Sequence, residues 1–526
     1  MDNQTPFNQT HCRRQFLRGS CSSLLLSGSI GQVAGQSDSP DPTSDRSDSN
    51  LNKFIEQQAL TSGGEDSGDK FGTSMDISDD GTTLVVGAID DGTRNGSTTG
   101  AVYVFTRINN EWTEQQRIIA EDGESGDRFG ISVSTTRDGD TVLIGANGVN
   151  GSKGAVYEFT HEDSGWVQQE KLKFQNTKRI GDTPSTPEIS RRGFSDQFGT
   201  ATEISNDGTI AFIGAPNYKS YNSTTLGPFS PDVEKKTGAV YLLEKEEQWV
   251  KKEDWYVVDT NTISTSLRYL TNRKTLEDIT TDINTEDTVF GRSISLSDSG
   301  ETALVSAEGD GRGSAYLFTK EGDEWSYENI SPQKDWVESG FGTSISLTGD
   351  GEMSMVISPN EIDSDGRATG SAYIINNETG DRDRLTVEKD IDQDDSPENI
   401  LPSEIGDGSG TISPDGRFAT IASENGSLFL FSRDDGRWKQ AQEITTKDEN
   451  TGENFGYQTE FLGQTGNILT TDPFYNNKGA VFEFAEQKQS DSNNSTGSNL
   501  PGLGFGSAII GVLGGGYLLY QKQTDE

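Results

Sequence analysis

The stretch "EQQALTSGGEDSGDKFG" at residues 56–72 returns 58 residues later as "EQQRIIAEDGESGDRFG" at 114–130. The two align without a gap and share Glu-Gln-Gln, Ser-Gly-Asp and Phe-Gly. The second copy is the tail of one repeat running into the head of the next. The first copy is a tail with no repeat in front of it, so the rest of its unit has to come from elsewhere in the chain.

The first complete unit, 71–128, sets the pattern. Phe-Gly is followed by Asp-Gly, a small apolar segment ending in Gly-Ala, a variable connection, Gly-Ala-Val-Tyr-x-Phe and a Trp. Further heads stand at Phe129-Gly130, Phe198-Gly199, Phe290-Gly291, Phe341-Gly342 and Phe455-Gly456. The sixth unit lacks Phe-Gly but keeps "SPDG" at 413–416, "GSLFLF" at 426–431 and Trp438. Within a unit, "TSMDIS" alternates with period two, Asp-Gly is a hairpin signal, "TLVVGA" is apolar and β-branched, and "GAVYVF" alternates before a more polar segment. No unit carries an apolar stripe of period 3.6. Four strands per unit at periods above 40 residues predict the blades of a propeller. The seventh unit ends after "GAVFEF" at 479–484, one strand short. "KFIEQQAL" at 53–60 is read as that fourth strand, which closes the sheet and removes its open edge. The expected fold is all-β: a seven-bladed β-propeller of four-stranded blades over 53–485, closed by an N-terminal strand.

The recurring Phe-Gly, the Gly-Ala-Pro at 214–216 and the Gly-Ala-Val-Tyr segments resemble the FG-GAP repeat family of integrin α-subunits, in its short-hairpin prokaryotic form. The resemblance covers 53–484 and implies a seven-bladed ring with a role in extracellular binding; it names no ligand. Integrin-type blades often bind calcium in the first hairpin. Here that hairpin is cut to "SDDG", "RDGD", "NDGT" and "PDGR", with one or two carboxylates where calcium takes about six oxygens. No calcium site is carried over, and no other cofactor is expected. The acidic runs "EIDSDG" at 361–366 and "DIDQDD" at 390–395 read as solvated loops, with calcium as the alternative.

Strand order places the first-to-second and third-to-fourth turns on one rim and the remaining connections on the other. The long insertions, 168–197, 216–237, 257–289, 359–369 and 390–409, all fall in the second set. Loops on a rigid scaffold are where binding residues collect. Tyr218, Tyr221 and Phe229, in the insertion 216–237, are the candidate ligand contacts; the alternative is that they pack against a neighbouring insertion. The bases of "KLKFQNTKR" at 171–179 suit an anionic polymer or simply offset nearby acid. Catalysis finds little support. Outside the leader the chain has a single histidine, His161, expected in the short turn before Trp166, and no cysteine or histidine cluster suited to zinc. A polysaccharide-acting enzyme using paired carboxylates and a structural envelope protein are the alternatives to a non-enzymatic binding or adhesion module.

The ends of the chain place it outside the cell. "CRRQFLR" at 12–18, with Arg13, Arg14, Phe16 and Leu17, is a twin-arginine export motif ahead of a short apolar stretch and a small-residue site, giving a signal peptide at 1–35 and a linker at 36–52. Both cysteines, Cys12 and Cys21, fall in this leader. A polar stalk at 486–502 leads to "LGFGSAIIGVLGGGYLLY" at 503–520, an uncharged segment of about 27 Å as a helix, read as a transmembrane anchor with a short tail at 521–526. The preceding "PGLGFG" is similar to archaeal Pro-Gly-Phe sorting signals, although the tail is acidic rather than basic. Asn493 and Asn494 in the stalk are the favoured glycosylation candidates. The net charge of −42 is spread along the chain and is similar to that of salt-loving archaeal proteins. Repulsion of that size is screened at about 1 M salt, where the Debye length is about 3 Å, and it argues against nucleic acid as a partner. The expected partners are an extracellular protein or glycan, with the membrane contacted through the C-terminal helix.

Overall fold

The structure, a computed structural model, describes residues 53–62, 68–92, 98–173, 195–222, 233–258, 274–277, 287–308, 313–330, 340–359, 361, 370–385, 387, 405–423, 426–446, 454–463 and 466–487. The chain divides into Met1–Asn50 and Leu51–Glu526, and every described residue belongs to the second part.

In the first unit, Phe71–Ile77, Thr83–Ala88, Ala101–Ile108 and Glu111–Ile118 pair antiparallel in chain order as one four-stranded sheet. The same order recurs from Phe129–Thr135 to Gly165–Lys173, from Ile345–Leu347 to Arg382–Leu385, and from Ile405–Ile412 to Arg437–Ile444. The second strand, Thr83–Ala88, is buried almost throughout rather than on alternate residues. A strand reads that way when both faces of its sheet are covered. The apolar clusters show how: one joins Val85, Val102 and Val104 of the first unit to Ile144, Tyr157 and Trp166 of the second, and the next joins Leu143 and Val156 to Ile213 and Tyr241 of the third. The core is therefore a series of layers, each between two successive sheets. The first strand of each unit touches the first strand of the next, and that of the seventh touches that of the first. The architecture is all-β and propeller-like.

Three devices join neighbouring sheets. At the unit boundary, Gly154 forms a parallel bridge with Phe198. Its φ is +89°, and a Cβ there would stand 2.0 Å from the Phe198 carbonyl oxygen, so only glycine admits the approach. Along the inner strands, Ser74 Oγ donates to the Gly130 carbonyl at 2.8 Å and Ser132 Oγ to that of Gly199 at 3.0 Å. Along the outer strands, the Gln116 amide grips the backbone of Trp166: its Oε1 accepts from Trp166 N–H at 2.9 Å and its Nε2 donates to Trp166 O at 3.2 Å.

The segment Lys53–Leu60 pairs antiparallel with Ala480–Gln487, completing the sheet of Thr459–Phe461, Ile468–Asp472 and Ala480–Gln487. Phe54 takes the place that tryptophan holds in five of the other fourth strands, the fifth unit's Arg382–Leu385 having none. Gln442 of the sixth unit grips its backbone with two bonds of 2.8 and 2.9 Å. Gln58 in turn grips the backbone of Trp112 with bonds of 3.1 and 2.9 Å. The Glu-Gln-Gln shared by residues 56–58 and 114–116 thus carries the same latch twice. Arg107 adds an ion pair of 2.7 Å to Glu483 across this junction. The strand runs two residues past the boundary expected at 485.

The third and fourth units depart from the sequence reading. The insertions at 216–237 and 257–289 were expected as loops, yet each contributes a strand. Lys219–Asn222 pairs antiparallel with the start of the long strand Val233–Lys245, and Lys274–Glu277 pairs parallel with Trp249–Val258. Lys236 also meets Asp287 in parallel register, so the two units merge into one ten-stranded sheet. Strands lengthened past the repeat leave unpaired backbone donors and acceptors, and the added strands satisfy them.

Candidate functional site

The two rims are built differently from the residues up. On one rim the first hairpins of the first six units reuse one backbone turn, and only the seventh departs, with Gly466 N–H donating to Leu462 O. In the first unit, Asp80 Oδ1 accepts from the Ser78 hydroxyl at 2.7 Å, the Thr82 amide at 2.9 Å and the Thr82 hydroxyl at 2.7 Å, while Gly81 N–H donates to Ser78 O. Asp207 and Asp415 repeat the arrangement. Burial pushes these carboxyls up, but the donors around them prevail and hold Asp80, Asp207 and Asp415 below the usual carboxylate range. Successive turns are tied to one another by backbone bonds: Arg137 N–H donates to Asn206 O at 3.1 Å, Asp298 N–H to Gly349 O at 2.8 Å, and Gly349 N–H to Pro414 O at 2.9 Å. The acids of the shortened hairpins are consumed in holding this belt.

On the other rim the described connections begin with a similar turn and then vary. Val149 O accepts from Gly154 N–H at 3.1 Å and closes a short link. Tyr218 O accepts from Gly238 N–H at the same distance, so residues 219–237 are a graft between equivalent anchor points. Asp91 O takes Gly100 N–H, and Tyr475 O takes Gly479 N–H. The anchoring side chains point into the fold. Asp91 accepts from Tyr103 Oη at 2.7 Å and is gripped by Arg117 at 2.6 and 2.9 Å. Glu361 accepts from Tyr373 Oη at 2.6 Å.

This anatomy corrects three expectations. Tyr218 is 6% exposed and packed in the apolar layer with Phe198 and Tyr241, so it is a packing residue rather than a rim contact. Glu361 is buried as a turn anchor, not part of a solvated loop. His161 lies in the strand Ala155–Glu162, against the Trp166 ring at 5.4 Å, not in the turn. Tyr221 falls in the added strand Lys219–Asn222. Lys171 bonds Asp122 at 2.7 Å, which accounts for one base of the basic run. Phe229, residues 390–395, the export motif of Arg13, Arg14, Phe16 and Leu17, the span 503–520, Asn493 and Asn494 lie outside the described residues. Among the described residues no helix is long and apolar enough to cross a membrane, and no group of three or more His, Cys, Asp or Glu side chains is arranged to hold a metal ion.

The inner strands hold acids that the sequence reading did not single out. Asp76, Glu203 and Glu460 occupy the same register position in the first, third and seventh units, two residues before the turn; the other units carry Ser134, Ser295, Ser346 and Thr411 there. The hydroxyls at three of those positions accept a backbone N–H from the next inner strand: Ser134 from Ile204, Ser295 from Leu347 and Ser346 from Ile412. Asp76 does the same for Thr135 at 2.6 Å. All three acids are half-buried, and enclosure pushes them up. Asp76 rises to about 7 against the pull of its amide donors. Glu460 rises to about 8, through burial and then the Asp76 charge. Glu203 rises well above the usual range through burial and then the charges of Asp76 and Glu460. Carboxyls tuned this way can exchange protons near neutral pH.

Two aromatic side chains also escaped the sequence reading. Tyr457 and Phe474 are 45% and 52% exposed, and both belong to the seventh unit at its insertion-rim end.

The FG-GAP repeat model matches residues 54–105 and 112–159. No curated protein matches the chain. Among solved structures, hydrazine synthase of Kuenenia stuttgartiensis is similar at 12% identity and a TM-score of 0.46, over 80% of this chain and 98% of that one. The β-propeller domain of Cps50 (Swd1) from Myceliophteria thermophila is similar at 12% identity and a TM-score of 0.47, over 83% and 100%.

Proposed function

We propose that the FG-GAP pattern matched at 54–105 and 112–159 continues through all seven units as a seven-bladed propeller, and that this propeller is an extracellular binding module. The twin-arginine motif and the apolar segment at 503–520 support export and display at the surface of a salt-adapted archaeon. The observation that carries the reading is the asymmetry of the rims. One rim is a belt of minimal turns whose acids are used in hydrogen bonds; the other keeps fixed anchor turns and varies only what is grafted between them. Stability alone gives no reason to lengthen one set of connections and hold the other constant, whereas a ligand does.

The test shortens the graft while sparing Tyr218. Residues 219–237 are replaced by Asn150–Lys153, which spans the equivalent anchor points in the second unit. The full chain should fold unchanged at molar salt and lose binding on arrays of glycans and cell-envelope proteins. Binding that survives this change but is abolished by altering the belt turns would reverse the assignment of the faces.

A second reading has its own observation. The raised carboxyls of Asp76, Glu203 and Glu460 are suited to acid–base chemistry on a polysaccharide. Release of reducing ends by the full chain, lost in E203Q and E460Q, would make the protein an enzyme.

A further inference from the structure

Among the described residues, Tyr457 and Phe474 are the two aromatic residues among the exposed large hydrophobic side chains, and at neither position does a sibling unit show an aromatic. At the position of Tyr457 the first, third and fifth units hold threonine, and the second and fourth hold Ile131 and Arg292. Thr73 Oγ1 donates to Lys70 O at 2.7 Å, Thr200 Oγ1 to Gln197 O at 2.8 Å, and Thr343 Oγ1 to Gly340 O at 2.7 Å, each closing the turn before its strand. Tyrosine gives up that bond for a ring in solvent. At the position of Phe474, in the fixed turn of the insertion rim, other units hold Asp90, Gly148 and Asn217. Phenylalanine there has no core to enter. Tyr457 N–H donates to the Thr471 carbonyl at 3.1 Å, three residues before Phe474. Beside Phe474, Lys70 lies 5.9 Å from the ring centre and pairs with Asp90 at 2.8 Å.

We propose that Tyr457 and Phe474, flanked by Lys70 and Asp90, form a binding platform for a neutral hexose polymer. This rests on the insertion rim being the working face. The chemistry selects the ligand. A pyranose presents an apolar C–H face to an exposed ring and hydroxyls to a charged pair at its edge. An apolar peptide or lipid needs a continuous apolar patch, and the other exposed large hydrophobics of the described residues, Ile108, Ile119 and Val250, lie in other units. A polyanion would find Lys70, the cation beside the Phe474 ring, already paired with Asp90.

The experiment measures retention of the full chain at molar salt on beads carrying mannan, dextran or galactan. The variants are Y457T and F474N, which install the residues of sibling units and so preserve the fold; circular dichroism and the melting temperature check this. The wild type should be retained on at least one polymer. Each variant should bind about tenfold more weakly, equivalent to about 1.4 kcal/mol, and the double variant should elute with the void. Absence of retention on all three polymers overturns the proposal. So does retention that the double variant leaves intact. If shortening 219–237 abolishes retention while the double variant does not, the platform is wrong and the rim assignment stands. If only changes to the belt turns abolish it, both are wrong.

Discussion

Replacing Gln58 by alanine tests closure at a single side chain, because its neighbour Gln57 supplies the control. Gln58 makes two bonds to the backbone of Trp112, at 3.1 and 2.9 Å, and both link the strand at 53–60 to the first unit. Gln57 bonds only the carbonyl of Ile55, two residues away and in solvent. At about 0.5–1.5 kcal/mol per bond, Q58A should cost about 1–3 kcal/mol. Q57A should fall within about 0.5 kcal/mol of wild type. Phe54 is a larger lever: it is buried in the layer between the sixth and seventh units, with Phe461 and Phe484. F54A should cost about 3–5 kcal/mol, a large part of the 5–15 kcal/mol typical of a whole domain. The assay is urea unfolding at fixed molar salt, followed by tryptophan fluorescence. Cooperative closure predicts one transition that shifts as a whole with unchanged slope. If Q58A and Q57A unfold together, or if F54A produces a small early transition and leaves the main one in place, the latch does not close the fold.

The turn and inner carboxyls predict opposite pH limbs. Asp80, Asp207 and Asp415 are lowered in the folded state, so their stabilisation is present above the unfolded value near 4 and is lost as pH falls below it. Asp76 and Glu460 are raised to about 7 and about 8, so the folded state holds their protons more tightly; that contribution is full below pH 4 and is lost as pH rises to about 8. Stability should therefore fall between pH 5 and 8, and E460Q should flatten that limb by about 1–3 kcal/mol; an equal slope in wild type and variant on denaturant titration would refute the coupling. Salt should act on the whole chain: with a net charge of −42, the melting temperature should drop steadily as salt falls from molar to about 0.1 M, and a flat profile would count against adaptation to screening. Adding a methyl at Gly154 should destabilise by more than the about 1 kcal/mol of an ordinary glycine replacement, because the added atom meets the Phe198 carbonyl; a smaller loss on thermal melting would mean the unit boundary yields.

What the sequence revealed was whatever repeats in kind. Phe-Gly, Asp-Gly and Gly-Ala-Val-Tyr are the same residues in the same order, so the strands and the incomplete seventh unit could be read from them. The anchor turns could not, because only their place recurs. Asp91, Val149, Tyr218, Glu361 and Tyr475 share one position and differ in chemistry, accepting a tyrosine hydroxyl in one unit and filling an apolar layer in another. Tyr218 looked like a loop aromatic because the sequence after it leaves the repeat, although the residue itself has not. Glu203 and Glu460 were hidden by abundance, in a chain with 85 acidic residues. Aligning the units by the turn, rather than counting acids, separates them from the rest.

A repeat carries its own control, and that decides how these residues are to be understood. Serine at the inner position is enough to receive the neighbouring N–H, as Ser134, Ser295 and Ser346 show. A carboxylate there is not needed to make that bond and incurs a desolvation cost, visible in the raised Asp76 and Glu460. Threonine at the rim position closes the preceding turn, as Thr73, Thr200 and Thr343 show, and Tyr457 forgoes that bond. Selection for stability would have restored the sibling residue at each place. Tyr457 and Glu460 stand three residues apart, in and just before the strand Thr459–Phe461. Phe474 follows the adjacent strand, Ile468–Asp472, to which that strand is paired. The costly departures from the repeat therefore concentrate in the seventh unit, the one completed by the N-terminal strand. A ligand spanning Phe474 and Lys70 would bridge the boundary between the seventh and first units, and binding would stabilise that boundary.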